Sequence, residues 1–182
     1  TYTFQGSGLT SIDLSNLTSL QYLGSSATAC SNSTKVYLFA DCADLQEVRL
    51  PVDLKGIGAY VFYNCVSLKT IDLGNIERLA NYSFYNTGLT SVTIPKLGAS
   101  YVGTYIFAVC ADLESVTILE GTTKLSNNDF QNCTSLKEVI IPSTVTTIQG
   151  SVFRGCTSLE EIALPGAITT FGTYIFEGCT AL

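Results

Sequence analysis

Phenylalanine recurs along this chain at a nearly constant interval, and this interval limits the possible folds more than any other feature. Seven copies, from Phe39 to Phe176, are separated by 23, 22, 23, 23, 23 and 23 residues. Self-similarity at such a period predicts a solenoid, because one repeat cannot bury its apolar face alone and must stack on its neighbours. We expect one repeat domain, residues 1–182. The repeat phenylalanines are Phe4, Phe39, Phe62, Phe84, Phe107, Phe130, Phe153 and Phe176.

The residues behind each phenylalanine predict the local structure of one coil. In "FQNCTSLKEVIIP", Val139 and Ile141 alternate with Glu138 and Ile140, which is the pattern of a short, half-buried strand. Pro142 ends that strand because proline has no amide to donate. The sequence therefore predicts one short parallel strand per repeat, in a fold that is mostly β and loop with little helix.

Three copies are irregular. The copy "FYNTGLTSVTIP" at Phe84 is one residue shorter and lacks the cysteine, the copy "FQGSGLTSIDLS" at Phe4 has the same short form, and the copy at Phe176 is truncated. Phe4 and Phe39 are 35 residues apart, about a dozen more than one repeat. We predict an insertion at about residues 15–35, for which a short helix and an irregular extra coil both fit.

The pattern Phe-x-x-Cys-x-x-Leu-x-x-Ile-x-Leu-Pro, together with the short variant at Phe84, resembles the BspA-type leucine-rich repeats. The resemblance covers the chain except for roughly residues 15 to 35. It implies a leucine-rich-repeat solenoid, right-handed and gently curved, with a parallel sheet on one face. It also implies a secreted or surface-attached protein with an adhesion or binding role, whose repeats carry no catalytic residues.

Six of the seven cysteines lie three residues after a repeat phenylalanine, so each projects from the same place on its own coil. This spacing favours a buried ladder of free thiols over disulfides, because parallel side-chain vectors rarely give the required dihedral angle. Zinc binding is less favoured still, because a row of single thiols does not converge on one point. Cys30 lies outside the ladder, and we expect it to be more exposed. The ladder cysteines are Cys42, Cys65, Cys110, Cys133, Cys156 and Cys179.

The composition argues against several functional classes. The chain has no histidine, so histidine-dependent catalytic dyads and triads are impossible. The adjacent acids Glu160 and Glu161 point to opposite faces of a strand, and we expect no catalytic activity, no cofactor and no metal. The formal charge of −6 comes with no basic stripe, so we expect no nucleic-acid partner. No apolar run is long enough to predict membrane insertion.

The outward side of the predicted sheet is a first candidate surface. Its centre is small and hydroxylated, and it is poor in the tyrosine, tryptophan and arginine that dominate binding energies. A solvated sheet face is the simpler interpretation. Its candidate contact residues are Arg49, Thr70, Asp72, Thr93 and Thr117.

Tyrosine supplies a second candidate surface. Six of eight copies carry tyrosine two residues before the repeat phenylalanine, and a second tyrosine column follows it. If these rings face solvent they form a stripe for contacts with sugars or proteins. The alternative is that each ring only covers the edge of its coil. The candidate contact residues are Tyr60, Tyr82, Tyr105, Tyr174, Tyr63 and Tyr85.

These features favour a non-enzymatic recognition or adhesion module, extracellular or on the cell surface, that binds host proteins, other cells or glycans. The alternative is a passive spacer or assembly element that carries another domain. One contiguous patch of exposed tyrosine and sheet residues would favour the first, and scattered residues the second. We expect a monomer, with end-to-end contact possible through the uncapped coil that stops at Leu182.

Overall fold

The computed structural model describes residues 3–24, 35–98 and 103–182, which form a parallel β-solenoid. The secondary structure of these ranges consists of short strands and turns, with no helix. The described ranges contain no helix long and apolar enough to cross a membrane. The strands are β1 (Ser11–Asp13), β2 (Tyr22–Leu23), β3 (Glu47–Arg49), β4 (Gly56–Ile57), β5 (Arg78–Leu79), β6 (Ser91–Ile94), β7 (Ser115–Ile118), β8 (Lys124–Leu125), β9 (Glu138–Ile140), β10 (Thr147–Ile148) and β11 (Thr170–Phe171).

The strands form two faces of the solenoid, which we call front and back. The front sheets have the orders β1-β3 and β6-β7-β9, and the back sheets have the orders β2-β4-β5 and β8-β10-β11. All pairs are parallel and join equivalent positions of neighbouring coils, so Val116 pairs with Val92 on one side and Val139 on the other. The repeat pattern predicts the front strands. The two-residue back strands are an addition, formed where the return path is briefly extended before the next turn.

The front sheet is divided where the pattern predicts further strands. Residues 70–73 and 160–163 lie at strand positions by sequence, yet neither segment is a strand in the structure. In the first segment the Asp72 carboxylate accepts a hydrogen bond from the Gly74 amide at 2.9 Å. This local bond closes a turn that competes with strand pairing.

The repeat phenylalanines form a continuous stack through the core. Neighbouring ring centroids are 5.3 to 5.8 Å apart, with interplanar angles of 4 to 16°. The six inner rings are fully buried, whereas Phe4 is 40% exposed and Phe176 is half-buried. Each inner ring thus has aromatic neighbours on both faces, which fixes the stacking of successive coils.

The cysteines form a second buried column beside this stack. Each of the six described thiols donates to the carbonyl of the phenylalanine one coil earlier, as Cys110 Sγ does to Phe84 O at 3.2 Å. All six are free, and five are buried while Cys179 is half-buried. Burial raises the pKa of Cys110 to about 11 and that of Cys156 to about 12, which keeps these thiols protonated. Cys30 lies outside the described residues.

In the short coil at Phe84, Thr87 replaces the cysteine. Its hydroxyl lies 3.1 Å from both Phe84 O and Cys110 Sγ, so the polar column continues through the coil. Gly88 follows, and a Cβ there would lie only 2.1 Å from Val66 O. The missing residue thus brings two backbones so close that only glycine fits.

The segment "GTYIF" occurs twice, at residues 103–107 and 172–176. Close contact between backbones also explains the glycine that begins each copy. A Cβ on Gly103 would lie 2.4 Å from the carbonyl carbon of Ala80, and one on Gly172 would lie 2.5 Å from that of Gln149. Both glycines are therefore required by close contact with the preceding coil, and neither has a positive φ.

Of the predicted insertion at about residues 15–35, the structure describes residues 15–24 and Lys35. Residues 15–24 run through turns into β2, which pairs with β4 as an ordinary back strand. Lys35 forms a parallel bridge with Ala59. Residues 25–34 lie outside the described part, so the insertion remains a prediction.

Candidate functional site

Six tyrosines on neighbouring coils form one contiguous cluster, which we call the tyrosine patch. It has two columns, one two residues before the repeat phenylalanine and one directly after it. Every described residue of the first column has a positive φ, between 48 and 64°. This left-handed conformation turns the side chain away from the core just before the buried phenylalanine. The patch consists of Tyr37, Tyr60, Tyr82 and Tyr105 in the first column and Tyr63 and Tyr85 in the second.

The rings of the patch stack on one another. Successive centroids in the first column are 4.9 Å apart, and the Tyr60–Tyr82 and Tyr82–Tyr105 pairs have interplanar angles of 17° and 7°. Tyr63 and Tyr85 stack at 5.1 Å and 8°. The columns meet at 5.5 Å with tilted rings. All six rings are half-buried, so part of each is available to solvent.

This stacking changes what the rings can offer a ligand. Stacking on a sugar requires a free aromatic face, but the two faces of Tyr60 and Tyr82 are covered by neighbouring tyrosines. The faces of these two rings are therefore not free to stack on a sugar. What the column presents is ring edges, which carry the positive part of the ring quadrupole, and phenolic hydroxyls.

The hydroxyls of the patch are hydrogen-bond donors. Burial is the main cause that raises the pKa of Tyr60, Tyr63 and Tyr82, and neighbouring tyrosines add to the shift. These phenols therefore stay protonated well above neutral pH. Within the described part of the chain, no residue hydrogen-bonds to the hydroxyls of Tyr60, Tyr82 or Tyr105.

A ladder of polar side chains flanks the second tyrosine column. Asn86 donates to Asn64, and Asn64 donates to Asp41, both at 2.9 Å. The other Asp41 oxygen accepts from Gln5 at 2.9 Å. These positions, two residues after the phenylalanine, also have positive φ values, which asparagine tolerates well. The recurrence of Asn, Asp or Gly two residues after the phenylalanine is the sequence signal that would have predicted this ladder.

Two basic side chains lie over tyrosine rings on the back side of the coils. The Lys35 ammonium is 5.4 Å from the Tyr60 centroid, and the Arg78 guanidinium is 5.7 Å from the Tyr22 centroid. Gly56 lies between Tyr22 and Arg78 and pairs with both residues. Because Gly56 has no side chain, Arg78 can reach across that coil to Tyr22. Sequence reasoning missed both contacts, since neither residue follows the repeat pattern.

Tyr174 does not belong to the patch. Its ring is 67% exposed, and Asn128 and Ser151 occupy the equivalent positions of the two coils between it and Tyr105. The structure thus brings together five of the six predicted tyrosines and adds Tyr37.

The predicted sheet-face residues lie on the front. Arg49, Thr70, Asp72 and Thr93 are exposed, whereas Thr117 is half-buried. Arg49 is held by Glu47 at 2.8 Å and lies 3.9 Å from Asp13. Shallow clefts of about 340 and 560 Å³ flank the segment at residues 70–74. This face is therefore interrupted, in contrast to the unbroken patch of rings.

One carboxyl group lies in the core. Asp129 is only 5% exposed, at a position that carries Val61, Ile106 or Val152 in other coils. Its Oδ2 accepts from the Ser126 amide at 2.7 Å, and Oδ1 has no partner within the described structure. Burial raises the pKa of Asp129 well above its ordinary value. In the part of the chain that the structure describes, no cluster of acidic or thiol side chains could hold a metal ion.

The repeat geometry and the stacked core are those of a solenoid repeat protein. The sequence matches the BspA type leucine rich repeat region in six copies, over residues 33–126 and 74–182. The chain therefore belongs to the BspA-type leucine-rich repeat family. None of the curated proteins matches the chain.

Solved structures of leucine-rich repeat proteins share the fold. The leucine rich repeat protein of T. pallidum is 25% identical, with a TM-score of 0.73 over 87% of this chain and 69% of that one. A leucine rich cell surface protein of Faecalibacterium prausnitzii is also 25% identical, with a TM-score of 0.64 over 96% of this chain and 41% of that one. The pneumococcal vaccine antigen PcpA is 22% identical, with a TM-score of 0.53 over 97% of this chain and 50% of that one, which shows the fold alone. This chain spans half or less of the last two proteins.

Proposed function

We propose that this chain is a non-enzymatic recognition module, acting at the cell surface, and that the tyrosine patch is its contact surface. The observation that carries the proposal is that six half-buried tyrosine rings on neighbouring coils form one contiguous cluster. Tyrosine is enriched at binding hot spots because it joins a large apolar ring to a polar group. Family membership and a neighbour named as a cell surface protein support the location.

The rest of the repeat supports a role for these side chains beyond folding. Asn128 and Ser151 hold the same left-handed conformation as the tyrosines, with φ values of 64 and 58°. The turn therefore does not require tyrosine, and asparagine is better suited to it. The backbone at this position does not favour tyrosine, yet tyrosines occupy it in neighbouring coils. We attribute this to contacts that the tyrosines make with a partner.

The test is a screen of the chain against arrays of extracellular proteins and glycans. The variant Tyr60→Ser/Tyr82→Ser/Tyr105→Ser gives three coils the residue that Ser151 already supplies elsewhere, so we expect it to fold. It should lose the array signals of the unmodified chain. The matched control, Thr70→Ala/Thr93→Ala/Thr117→Ala, removes three side chains from the front face and should keep them.

Two results would overturn the proposal. Array signals that survive in the tyrosine variant and vanish in the threonine variant would move the contact surface to the front sheet. A chain that binds nothing in either array would favour the spacer, which needs only the rigid stack.

A further inference from the structure

The chemistry of the tyrosine patch limits the partner that it can take, and this inference rests on the function proposed above. Because both faces of the Tyr60 and Tyr82 rings are covered by neighbouring tyrosines, a ligand meets only the edges and hydroxyls of these two rings. Edges and O–H groups both favour electronegative oxygen atoms. A partner rich in oxygen acceptors is therefore preferred over one that stacks an apolar or aromatic face.

The spacing of the stacked rings favours one kind of polymer. Tyr60, Tyr82 and Tyr105 repeat along the solenoid with centroids 4.9 Å apart. An extended peptide advances about 3.3 Å per residue, so its groups would not keep step with this ladder. A sugar unit in an extended β-1,4-linked chain advances by nearly one coil spacing. Such a chain lying along the column would place one sugar against each tyrosine.

The charges beside the column favour a carboxylated sugar. The Lys35 side chain is exposed, and its ammonium lies 5.4 Å from the Tyr60 centroid. The acid of the ladder, Asp41, acts on Tyr63 in the second column, and its two oxygens accept hydrogen bonds from Gln5 and Asn64. Lys35 therefore supplies a positive charge beside the first column, while the carboxylate of Asp41 lies by the second.

We propose that the tyrosine patch binds an extended β-1,4-linked polysaccharide that carries carboxylate groups. The hydroxyls of Tyr60, Tyr82 and Tyr105 each donate to one sugar unit, and Lys35 pairs with a carboxylate. The polysaccharide lies along the solenoid axis on the ring edges. No sugar ring stacks on an aromatic face within the column.

The experiment compares two oligosaccharides that differ only in charge, a β-1,4-linked mannuronic acid hexamer and mannohexaose, by titration calorimetry. We expect the acidic hexamer to bind more tightly, with an affinity that falls as salt is added. The variant Tyr60→Phe/Tyr82→Phe/Tyr105→Phe keeps the stacked rings and removes the hydroxyls, so it should lose roughly tenfold or more in affinity. Lys35→Ala should lose affinity for the acidic hexamer alone, and the control Tyr174→Phe should change nothing.

Equal binding of the two hexamers would overturn the carboxylate assignment, and unchanged binding by the phenylalanine variant would overturn the hydroxyl ladder. Tighter binding of poly-L-glutamate than of the acidic hexamer would replace the polysaccharide by an acidic protein segment. If neither hexamer binds while the array signals still depend on the tyrosines, this inference fails and the proposed function stands. If the array signals do not depend on them, the proposed function fails.

Discussion

The coils that carry the tyrosine patch and the coils that follow them have the same backbone but different surfaces. From Tyr37 to Tyr105, the position two residues before the core phenylalanine carries tyrosine rings that contact one another. In the next two coils the same position carries the small polar residues Asn128 and Ser151. The φ values of all these residues fall in one narrow left-handed range. The phenylalanine stack passes through both regions without a break.

The repeat therefore constrains the backbone at this position, whereas the side chain can vary. Two residues later the core needs an aromatic ring in every coil, because each ring packs on the next. At the tyrosine position the fold accepts asparagine, serine or tyrosine.

The largest effect is expected in the core. Phe107→Ala removes a ring that is stacked on both faces, so it should lower the free energy of unfolding by about 3–5 kcal/mol. Urea unfolding followed by circular dichroism measures the change. Phe171→Ala is the control, because that ring is 52% exposed and its loss should cost far less. Similar costs for the two variants would contradict the role of the stack.

The glycines test the contact between coils. Gly103→Ala places a methyl group against the Ala80 backbone and should destabilise the chain by about 1–3 kcal/mol. Gly166→Ala, where a Cβ meets nothing within 4 Å, should leave the unfolding midpoint nearly unchanged. If both substitutions are tolerated equally, the coils are less closely packed than described.

Asp129 tests the core outside the tyrosine patch. In the unfolded chain this carboxyl loses its proton near pH 4, whereas in the folded chain its raised pKa keeps it protonated to higher pH. The free energy of unfolding therefore falls as the pH rises above about 4. Asp129→Val removes this pH-dependent penalty and also the acceptor of the Ser126 amide, so the change in the free energy of unfolding should be about 1–3 kcal/mol more favourable at pH 7 than at pH 4. Urea titrations at the two pH values measure this difference. The control Asp44→Ala, on the surface, should shift stability by less than about 0.5 kcal/mol.

Val109 tests whether the polar ladder can be extended into the coil that carries Tyr105. It is β-branched with a φ of 62°, a conformation that costs a residue of its kind about 1–2 kcal/mol. Val109→Asn should stabilise the chain by a similar amount, since its amide can donate to Asn86. Thermal unfolding measures the gain, and Val66→Asn, at an exposed site without positive φ, should give none. A destabilised Val109→Asn would contradict this account of the turn.

The smallest change in the free energy of unfolding is expected when a tyrosine of the patch is replaced by the asparagine that the following coil carries. Tyr105→Asn loses one stacking contact, worth about 0.5–1.5 kcal/mol, and gains a residue better suited to the left-handed turn. We expect the two effects to nearly cancel, with a change within about 0.5 kcal/mol by urea unfolding. Phe107→Ala two residues later is the contrasting case. A large loss of stability in Tyr105→Asn would mean that the rings belong to the fold after all.

Much of the fold could be predicted from the sequence because it depends on a repeated pattern. The spacing of the phenylalanines predicts the stack, and the alternation around Val139 predicts a front strand. The back strands could not be predicted, because a two-residue segment such as Thr147–Ile148 is too short to show a period. The loss of strand structure at residues 70–73 depends on a turn between Asp72 and Gly74, which the repeat pattern does not reveal.

The period, the core residues and the family can all be predicted from the sequence, because each follows from side chains that recur in every coil. The arrangement of the tyrosine rings cannot be predicted in this way, because it depends on how the coils stack. Whether rings 22 or 23 residues apart cover one another depends on the distance between coils and on the left-handed turn. Only the stacked coils show that the faces are hidden and that edges and hydroxyls remain for a partner.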